Sequence, residues 1–361
     1  MLIKRITLGD AAFLKGIAIL IIMLHNYFHI LDKAPGENEF SFSDPTVYTF
    51  LYNLITSPLD IFRQTFSFFG HYAVQIFVFL SGYGLAIQYS QDRNIKYAQF
   101  YLKRFKKIYP VLFFAVVLLF IYKTTITLLF PAKAMDLATF AYEGFFKLLL
   151  VSNLIPDQAL SISGPWWFFG LILQLYLISP FLLKLKRDTY LIACIVIPWL
   201  IQLAFIVSLP TAIPFIRVNF LGHLPEFALG IYLARKSIIS MRLLPFALAL
   251  LIFGLGSFSQ YFWLLAFFSV PFIALAFYYY TAPSKRSIFA KAITFFGNNS
   301  LYFFAVHGLC RSPFVALGNR SIVWSLIAAV AYLAVVFVFT MVFKFIVNKL
   351  MSLVAPALQK T

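Results

Sequence analysis

Long apolar runs recur along the whole chain, and they constrain its fold more than any other feature of the sequence. A helix needs roughly 20 mainly apolar residues to cross about 30 Å of hydrocarbon, and runs of that length repeat from one terminus to the other. Hydrophobic residues make up 62% of the sequence and charged residues 11%, whereas soluble proteins average about half and about a quarter. We therefore expect an all-α, polytopic membrane protein that forms a single integral-membrane domain over residues 1–361.

The apolar runs predict about ten transmembrane helices. The first run contains Lys15 and His25 and has no small-residue cleavage site, so we interpret it as an uncleaved helix and not as a signal peptide. The segment 143–155 is apolar but short, and it is either re-entrant or interfacial. The sixth span is short and is flanked by prolines, which favours a broken or tilted helix. The expected spans are 11–31, 66–90, 108–130, 166–183, 189–208, 221–234, 243–258, 262–280, 293–315 and 322–343.

The distribution of basic residues predicts the orientation of these spans. With both termini in the cytosol, 20 of the 29 lysines and arginines lie in cytosolic segments and 8 lie outside, while Lys15 lies within the first span. Cytosolic loops of membrane proteins carry such an excess of Lys and Arg. The net charge of +17 is then a property of the cytosolic face, where it favours membrane lipid headgroups or an anionic ligand. Nucleic acid is not expected as a partner, because no soluble basic domain is present.

Ionisable groups at membrane depth are costly, so each one is a candidate for function. His25 lies beyond the midplane of the first span, and His29 follows one turn later on the same helical face. A neutral imidazole at this depth can act as a general base, although a hydrogen-bonded structural histidine is the plainer alternative. Since no carboxylate or third ligand accompanies this pair, we expect no bound metal. The intramembrane candidates are Lys15, His25, His29, Glu226 and His307.

Two further groups of residues lie near span ends. Arg104 and Lys107 share a helical face at the cytosolic mouth of the third span, where they either bind phosphates or simply anchor the helix. Trp166 and Trp167 stand at the start of the fourth span, and such a pair is either an interfacial anchor or a surface that stacks on a sugar ring. The two cysteines, Cys194 and Cys310, are expected to be apolar core residues near opposite faces, without a disulfide.

Six motifs in chain order resemble those of the bacterial membrane acyltransferase family three. The resemblance covers nearly the whole chain. Lys15 and Lys107 stand where that family usually has Arg, which keeps the charge but loses the bidentate geometry of a guanidinium. The motifs are Phe13–Ile19 followed by Leu24 and His25, Gln75–Tyr83 with its Ser81-Gly82-Tyr83 end, Arg104–Pro110, Trp167–Phe169 through Tyr176 and Pro180, Glu226–Gly230, and Ser300–Tyr302 through His307.

The resemblance implies a multi-pass enzyme of the bacterial inner membrane that moves an acyl group, usually acetyl. The donor would be cytosolic acetyl-CoA or another acyl-CoA, and the acceptor a hydroxyl of an envelope glycan or lipid-linked sugar. It also implies that His25 is the catalytic base and that Arg104 and Lys107 contact the donor. The supporting candidates are Lys15, His29, Ser81, Glu226 and His307, and Trp166 and Trp167 are the aromatic candidates on the acceptor side.

Two other functions remain open at this point. The intramembrane His, Lys and Glu residues are also compatible with a proton-coupled transporter or exporter of a polysaccharide or small solute. No pair of matching Pro- or Gly-broken spans indicates the inverted repeats that such transporters often have. A sensor or scaffold of an envelope complex is the third possibility, and it predicts that His25 is dispensable.

Overall fold

The structure is a computed structural model that describes residues 2–3, 5–90, 95–129, 136–236, 239–240, 243–281 and 286–358. Nearly all regular structure in these ranges is helical, which confirms the predicted fold class; a two-residue antiparallel pair of strands, β1 (Leu2–Ile3) and β2 (Ile239–Ser240), is the exception within the described ranges. The helices are α1 (Leu8–Phe28), α2 (Asp44–Thr56), α3 (Ile61–Phe69), α4 (Ala73–Gln88), α5 (Tyr97–Leu129), α6 (Leu137–Leu148), α7 (Trp167–Lys184), α8 (Asp188–Ser208), α9 (Ile213–Arg217), α10 (Phe220–Ala234), α11 (Leu243–Phe258), α12 (Trp263–Thr281), α13 (Ile288–Asn298), α14 (Ser300–Cys310), α15 (Ser312–Gly318) and α16 (Ile322–Leu358).

Seven helical segments within the described ranges are long and apolar enough to cross a membrane. The chain is therefore a multi-pass membrane protein. The pair α14–α15 provides an eighth span if its 60° bend is counted as one broken crossing, and α10 and α11 are apolar but shorter. The seven are Leu8–Phe28, Pro58–Gln88, Tyr97–Leu129, Gly164–Lys184, Asp188–Ser208, Trp263–Thr281 and Ile322–Leu353.

The ninth expected span, 293–315, is wrong as a single helix. The chain breaks at Asn299, whose side-chain amide donates to the Phe295 carbonyl (2.8 Å), and again at Arg311. Asparagine competes in this way with the helical hydrogen bonds of the backbone. The apolar segment 143–155 forms the end of α6 and a 3-10 turn (Ser152–Leu154), and it is not one of the candidate spans.

The expectations about the cysteines and about the orientation in the membrane have different outcomes. Both cysteines are free, as expected. Six of the basic residues counted for the orientation lie outside the described residues: Lys4, Arg93, Lys133, Arg242, Lys285 and Lys360. The location of the two termini relative to the membrane stays a prediction.

The first helix, α1, lies at the centre of the bundle and contacts α3, α4, α13, α14 and α16. It begins with a capping box, in which the Thr7 side chain and the Asp10 carboxylate bond to each other's backbone amides. Its contact with α13 is close because Gly16 faces the Ile293 carbonyl and Gly297 faces the Ala12 carbonyl, where a side chain would overlap backbone atoms. Small residues at membrane-helix contacts permit such packing. The helix is therefore held firmly at the depth where Lys15 and His25 lie.

Candidate active site

His25 lies in the last turn of α1, and both nitrogens of its ring have partners. Nδ1 lies 3.0 Å from the backbone carbonyl of Phe66 on α3, and Nε2 contacts the carboxylate of Glu37. Because a carbonyl can only accept, Nδ1 carries a proton, and Nε2 is the nitrogen available for chemistry. The ring is 4% exposed. A cavity wall, and not bulk water, therefore surrounds the reactive nitrogen.

Glu37 and Glu39 reach this position on the non-helical segment between α1 and α2. Gly36 has a positive φ of 82°, which glycine adopts at no steric cost and which turns the chain back toward the end of α1. Between the two glutamates, the Asn38 carbonyl accepts a hydrogen bond from the Trp263 indole on α12 (2.8 Å). This bond holds the segment inside the helix bundle, so Glu39 is buried, while Glu37 keeps 19% of its side chain exposed.

Together these residues line a cavity of about 190 Å³, which we call the histidine cavity. His29 lies on the same face of α1 as predicted, and its ring stacks on His25 with the centroids 5.3 Å apart. The His71 ring lies 5.8 Å from that of His25. The lining of the cavity includes His25, His29, Glu37, Glu39, His71 and Trp167.

The two glutamates have opposite proton affinities. Burial raises the pKa of Glu37, but the charge and hydrogen bond of His25 outweigh it, so this pKa falls to about 2. For Glu39, burial and then the charge of Glu37 raise the pKa well above its usual 4.5, against the weaker opposing effect of Arg217. Glu37 is therefore an anion paired with His25, and Glu39 is a neutral acid beside it. A protonated and an ionised carboxyl in one cavity are a common arrangement for proton transfer.

The presence of these carboxylates corrects one premise of the sequence analysis. One ligand atom each from His25, Glu37 and Glu39 lies within 4.8 Å of the others, a spacing at which three such groups could hold a metal ion. The statement that no carboxylate accompanies the histidines is therefore wrong, since segment 29–43 folds back onto α1. The expectation of a metal-independent site stays a prediction.

A second group of predicted residues meets nearer the other end of the molecule. The positive charges of Lys107 and Arg104 act on the Lys15 ammonium, so α1 and α5 bring three cations together; we call these residues the basic cluster. The Arg104 guanidinium lies over the Tyr176 ring (5.5 Å), and the Tyr176 hydroxyl lies near the Ser81 side chain. Like charges held together in this way favour binding of an anion. Ser81 thus belongs to this cluster and not to the histidine cavity.

Three other predicted residues lie outside both the histidine cavity and the basic cluster. Glu226 on α10 is buried 3.7 Å from His223 and lines a separate, largely apolar cavity of about 190 Å³ that also contains Arg217. His307 is buried, and its Nδ1 bonds to the Phe303 carbonyl one turn earlier (3.0 Å). The Trp166 indole donates to the Ala305 carbonyl (2.8 Å).

The tryptophan pair is not an interfacial anchor. Trp166 is 1% exposed and Trp167 is 3% exposed, so neither ring faces lipid, and that interpretation is wrong. Trp167 forms part of the cavity wall, where it makes an edge contact with Phe40 (5.3 Å between centroids). Trp167 alone of the two is therefore placed where it can contact a molecule inside the cavity.

Sequence reasoning missed four ionisable residues of the cavity: Glu37, Glu39, His71 and Arg311. Arg311 lies at the bend between α14 and α15 and donates to the Asn26 carbonyl (3.1 Å). The bend between α14 and α15 thus brings the Arg311 guanidinium to the cavity, and hydropathy did not predict this bend. One signal in the sequence could have indicated Glu37 and Glu39: they are two positions apart and follow soon after the two histidines of the first span.

The chain matches the model of a known protein family. A family model described as an acyltransferase domain, acyltransferase family 3, matches residues 11–349, a span that includes every residue of the histidine cavity and of the basic cluster. No curated protein and no solved structure matches the chain.

Proposed function

Since the chain belongs to acyltransferase family 3 and is therefore an acyltransferase, we propose that it acylates an envelope glycan or a lipid-linked sugar. The acyl group is acetyl in the simplest case, the donor is cytosolic acyl-CoA, and the enzyme lies in the bacterial inner membrane. The single observation that carries the proposal is the buried His25–Glu37 pair at the wall of the histidine cavity. The family match favours acyl transfer over the two alternatives, a transporter and a scaffold.

The basic cluster and the histidine cavity lie at different depths along α1, as a reaction between a cytosolic donor and an external acceptor requires. From Lys15 to His25 the helix rises about 15 Å, at about 1.5 Å per residue. The basic cluster lies at the depth where an anionic donor enters from the cytosol, and the histidine cavity lies at the depth where a sugar enters from outside. In this proposal the acyl thioester reaches from the first site toward the second.

The chemistry at the cavity is a transfer from sulfur to oxygen. An acceptor hydroxyl attacks the thioester carbonyl carbon, a C–O bond forms, the C–S bond breaks, and the thiol leaves as a thiolate that is then protonated. The hydroxyl proton passes to His25 Nε2, since Nδ1 is engaged with the Phe66 carbonyl. Only the form of His25 that has no proton on Nε2 can accept this proton, while Glu37 stays ionised and stabilises the imidazolium that forms. The imidazolium then gives its Nε2 proton to the leaving thiolate. Trp167 offers an aromatic face to the sugar ring.

The first prediction tests His25 and Glu37. His25→Ala should lower acyl transfer by roughly the 10²–10⁴-fold that a general base contributes. Glu37→Gln keeps the size but removes the charge that stabilises the imidazolium. It should lower transfer by roughly 10- to 150-fold, the effect of one hydrogen bond to a charged group. The measurement is transfer of labelled acetyl from acetyl-CoA to envelope glycans in membranes that contain each variant.

Glu143→Gln is the matched control for Glu37→Gln, because Glu143 lies on α6 and does not line the histidine cavity. It should transfer at the wild-type rate, and all three variants should insert in the membrane at wild-type levels. Wild-type activity of His25→Ala would remove the base from the proposal. If the wild-type protein transferred no acyl group to any envelope glycan, the proposed acceptor class would be wrong.

A further inference from the structure

A large open cavity lies at the end of the molecule where α4 and α7 end and where α1 begins. It has a volume of about 710 Å³, and we call it the basin. Ala86, Tyr89, Ser90 and Ile95 form one part of its lining, and four basic side chains form another: Arg5, Lys184, Lys186 and Arg235. The charge distribution of the sequence predicts that this end is cytosolic.

Among the described residues, acidic side chains neutralise only part of the positive charge of the basin. Asp188 is the acid that pairs with its cations, since it lies 3.7 Å from Arg235, but it also binds Lys236 at 2.6 Å. Arg5 and Lys186 make no hydrogen bond or ion pair with another residue that the structure describes. Cations that only anchor a helix project outward to lipid headgroups, whereas these four line a concave space. A concave cationic site raises the local concentration of an anionic ligand.

The basin also lies directly below the basic cluster. The Arg104 guanidinium donates to the Gln88 side chain (2.7 Å), and the next residue, Tyr89, is part of the basin wall. Ser81, which belongs to the basic cluster, and Gln88 are seven residue steps apart on α4, which corresponds to about 10 Å. Positive charge therefore continues from the open basin to Lys15 in the membrane.

We infer that the basin binds the nucleotide end of the acyl-CoA donor, its 3′-phosphorylated adenosine diphosphate. This inference rests on the proposed function and adds the place where the donor is recognised. The nucleotide carries its phosphates at two separated positions, which matches cations spread around the basin, and the Tyr89 ring offers a face on which an adenine can stack. The volume lies within the roughly 300–1,000 Å³ of ordinary ligand sites. The pantetheine arm then passes the basic cluster toward His25.

The second prediction compares two double variants of equal charge. Lys184→Ala/Lys186→Ala removes two cations of the basin, and Arg187→Ala/Lys106→Ala removes two exposed cations that do not line it. With acetyl-CoA as donor, kcat/KM of the first variant should fall at least about tenfold, the factor that one charge-assisted contact carries. With S-acetylpantetheine, which lacks the nucleotide, it should equal wild type. The control variant should equal wild type with both donors.

Binding of 3′,5′-ADP to the purified protein gives a readout that does not depend on transfer. In nanodiscs of phosphatidylcholine, His25→Ala should bind this probe as wild type does, and the Lys184→Ala/Lys186→Ala variant should bind it at least about tenfold more weakly. If the wild type binds the probe in this way but acylates no acceptor, the proposed function fails and the basin assignment stands. Equal binding by the two double variants, or an equal loss of activity with both donors, would overturn the assignment.

The phosphate that the basin binds belongs either to the nucleotide of acyl-CoA or to the headgroup of an anionic lipid. One arm of the experiment distinguishes these two ligands. Phosphatidylglycerol in the nanodiscs should weaken 3′,5′-ADP binding only modestly, as general charge screening does. If phosphatidylglycerol instead abolishes the binding, and the lipid copurifies with wild type but not with Lys184→Ala/Lys186→Ala, the basin is a lipid headgroup site.

Discussion

Glu39 is the residue at which pH should act on the stability of the fold. It is 7% exposed, and burial followed by the negative charge of Glu37 raises its pKa well above 4.5. Below pH 4.5 the carboxyl is protonated in both the folded and the unfolded chain, so it does not make the free energy of unfolding depend on pH. As pH rises from 4.5 toward the raised native pKa, the free energy of unfolding falls, because only the unfolded chain releases the proton in that range. Glu37, with a native pKa of about 2, is ionised throughout that range and does not reverse the sign.

The third prediction follows from this sign. Glu39→Gln mimics the neutral acid and does not titrate, so its melting temperature should exceed that of wild type by an amount that grows as pH rises from about 5 to about 9. Thermal unfolding in detergent at a series of pH values measures it, with Glu143→Gln as the matched acid-to-amide control. A constant difference between Glu39→Gln and wild type across the series would show that folding does not raise the pKa of Glu39.

The 3-10 turn Gly70–Tyr72 between α3 and α4 is the structural element that fixes the His25 side chain. A Cβ at Gly70 would lie 2.4 Å from the His25 Cβ, so only glycine permits this contact. The fourth prediction is that Gly70→Ala pushes α1 and the turn apart, costs about 1–3 kcal/mol as overpacking does, and lowers transfer because His25 leaves the Phe66 carbonyl. Transfer assays and melting temperatures of the same preparations measure both effects.

Gly84→Ala, on α4, is the control for this element, because a Cβ there meets no atom within 4 Å. Alanine should be neutral or stabilise α4 by up to about 1 kcal/mol, the difference in helix propensity between the two residues. If Gly70→Ala retained full activity and stability, the turn would not be what positions His25.

Hydropathy predicted the elements better than it predicted the site. The long helices follow from apolar runs whose length matches the bilayer, so their existence could be read locally. The burial of Glu37 could not be read in this way, because an acidic residue in a polar segment has the same local pattern whether it is solvated or folded inward. Its position depends on the bond between Asn38 and Trp263, 225 residues away in the sequence. Likewise, His25 and Lys15 were found because charge stands out within an apolar helix, whereas Arg311 depends on a bend.

At the scale of the whole molecule, the proposed reaction requires that the basin and the histidine cavity face opposite sides of the membrane. The predicted split of 20 basic residues inside against 8 outside favours a cytosolic basin, and an excess of this size usually fixes the orientation of a multi-pass protein. Both native cysteines are free, so a variant without cysteines, Cys194→Ala/Cys310→Ala, is a suitable background for single reporter cysteines.

The fifth prediction concerns three exposed reporter positions in that background: Ser57→Cys before the second span, Lys106→Cys beside the basic cluster and Ser352→Cys near the end of α16. A membrane-impermeant maleimide added to spheroplasts should label Ser57→Cys alone, because the histidine cavity opens on that side. Inside-out vesicles should give the opposite pattern, with Lys106→Cys and Ser352→Cys labelled. Labelling of Lys106→Cys in intact spheroplasts would place the basic cluster and the basin outside the cell, where acyl-CoA is absent, and the cytosolic donor would then have to be abandoned even if His25 proved essential.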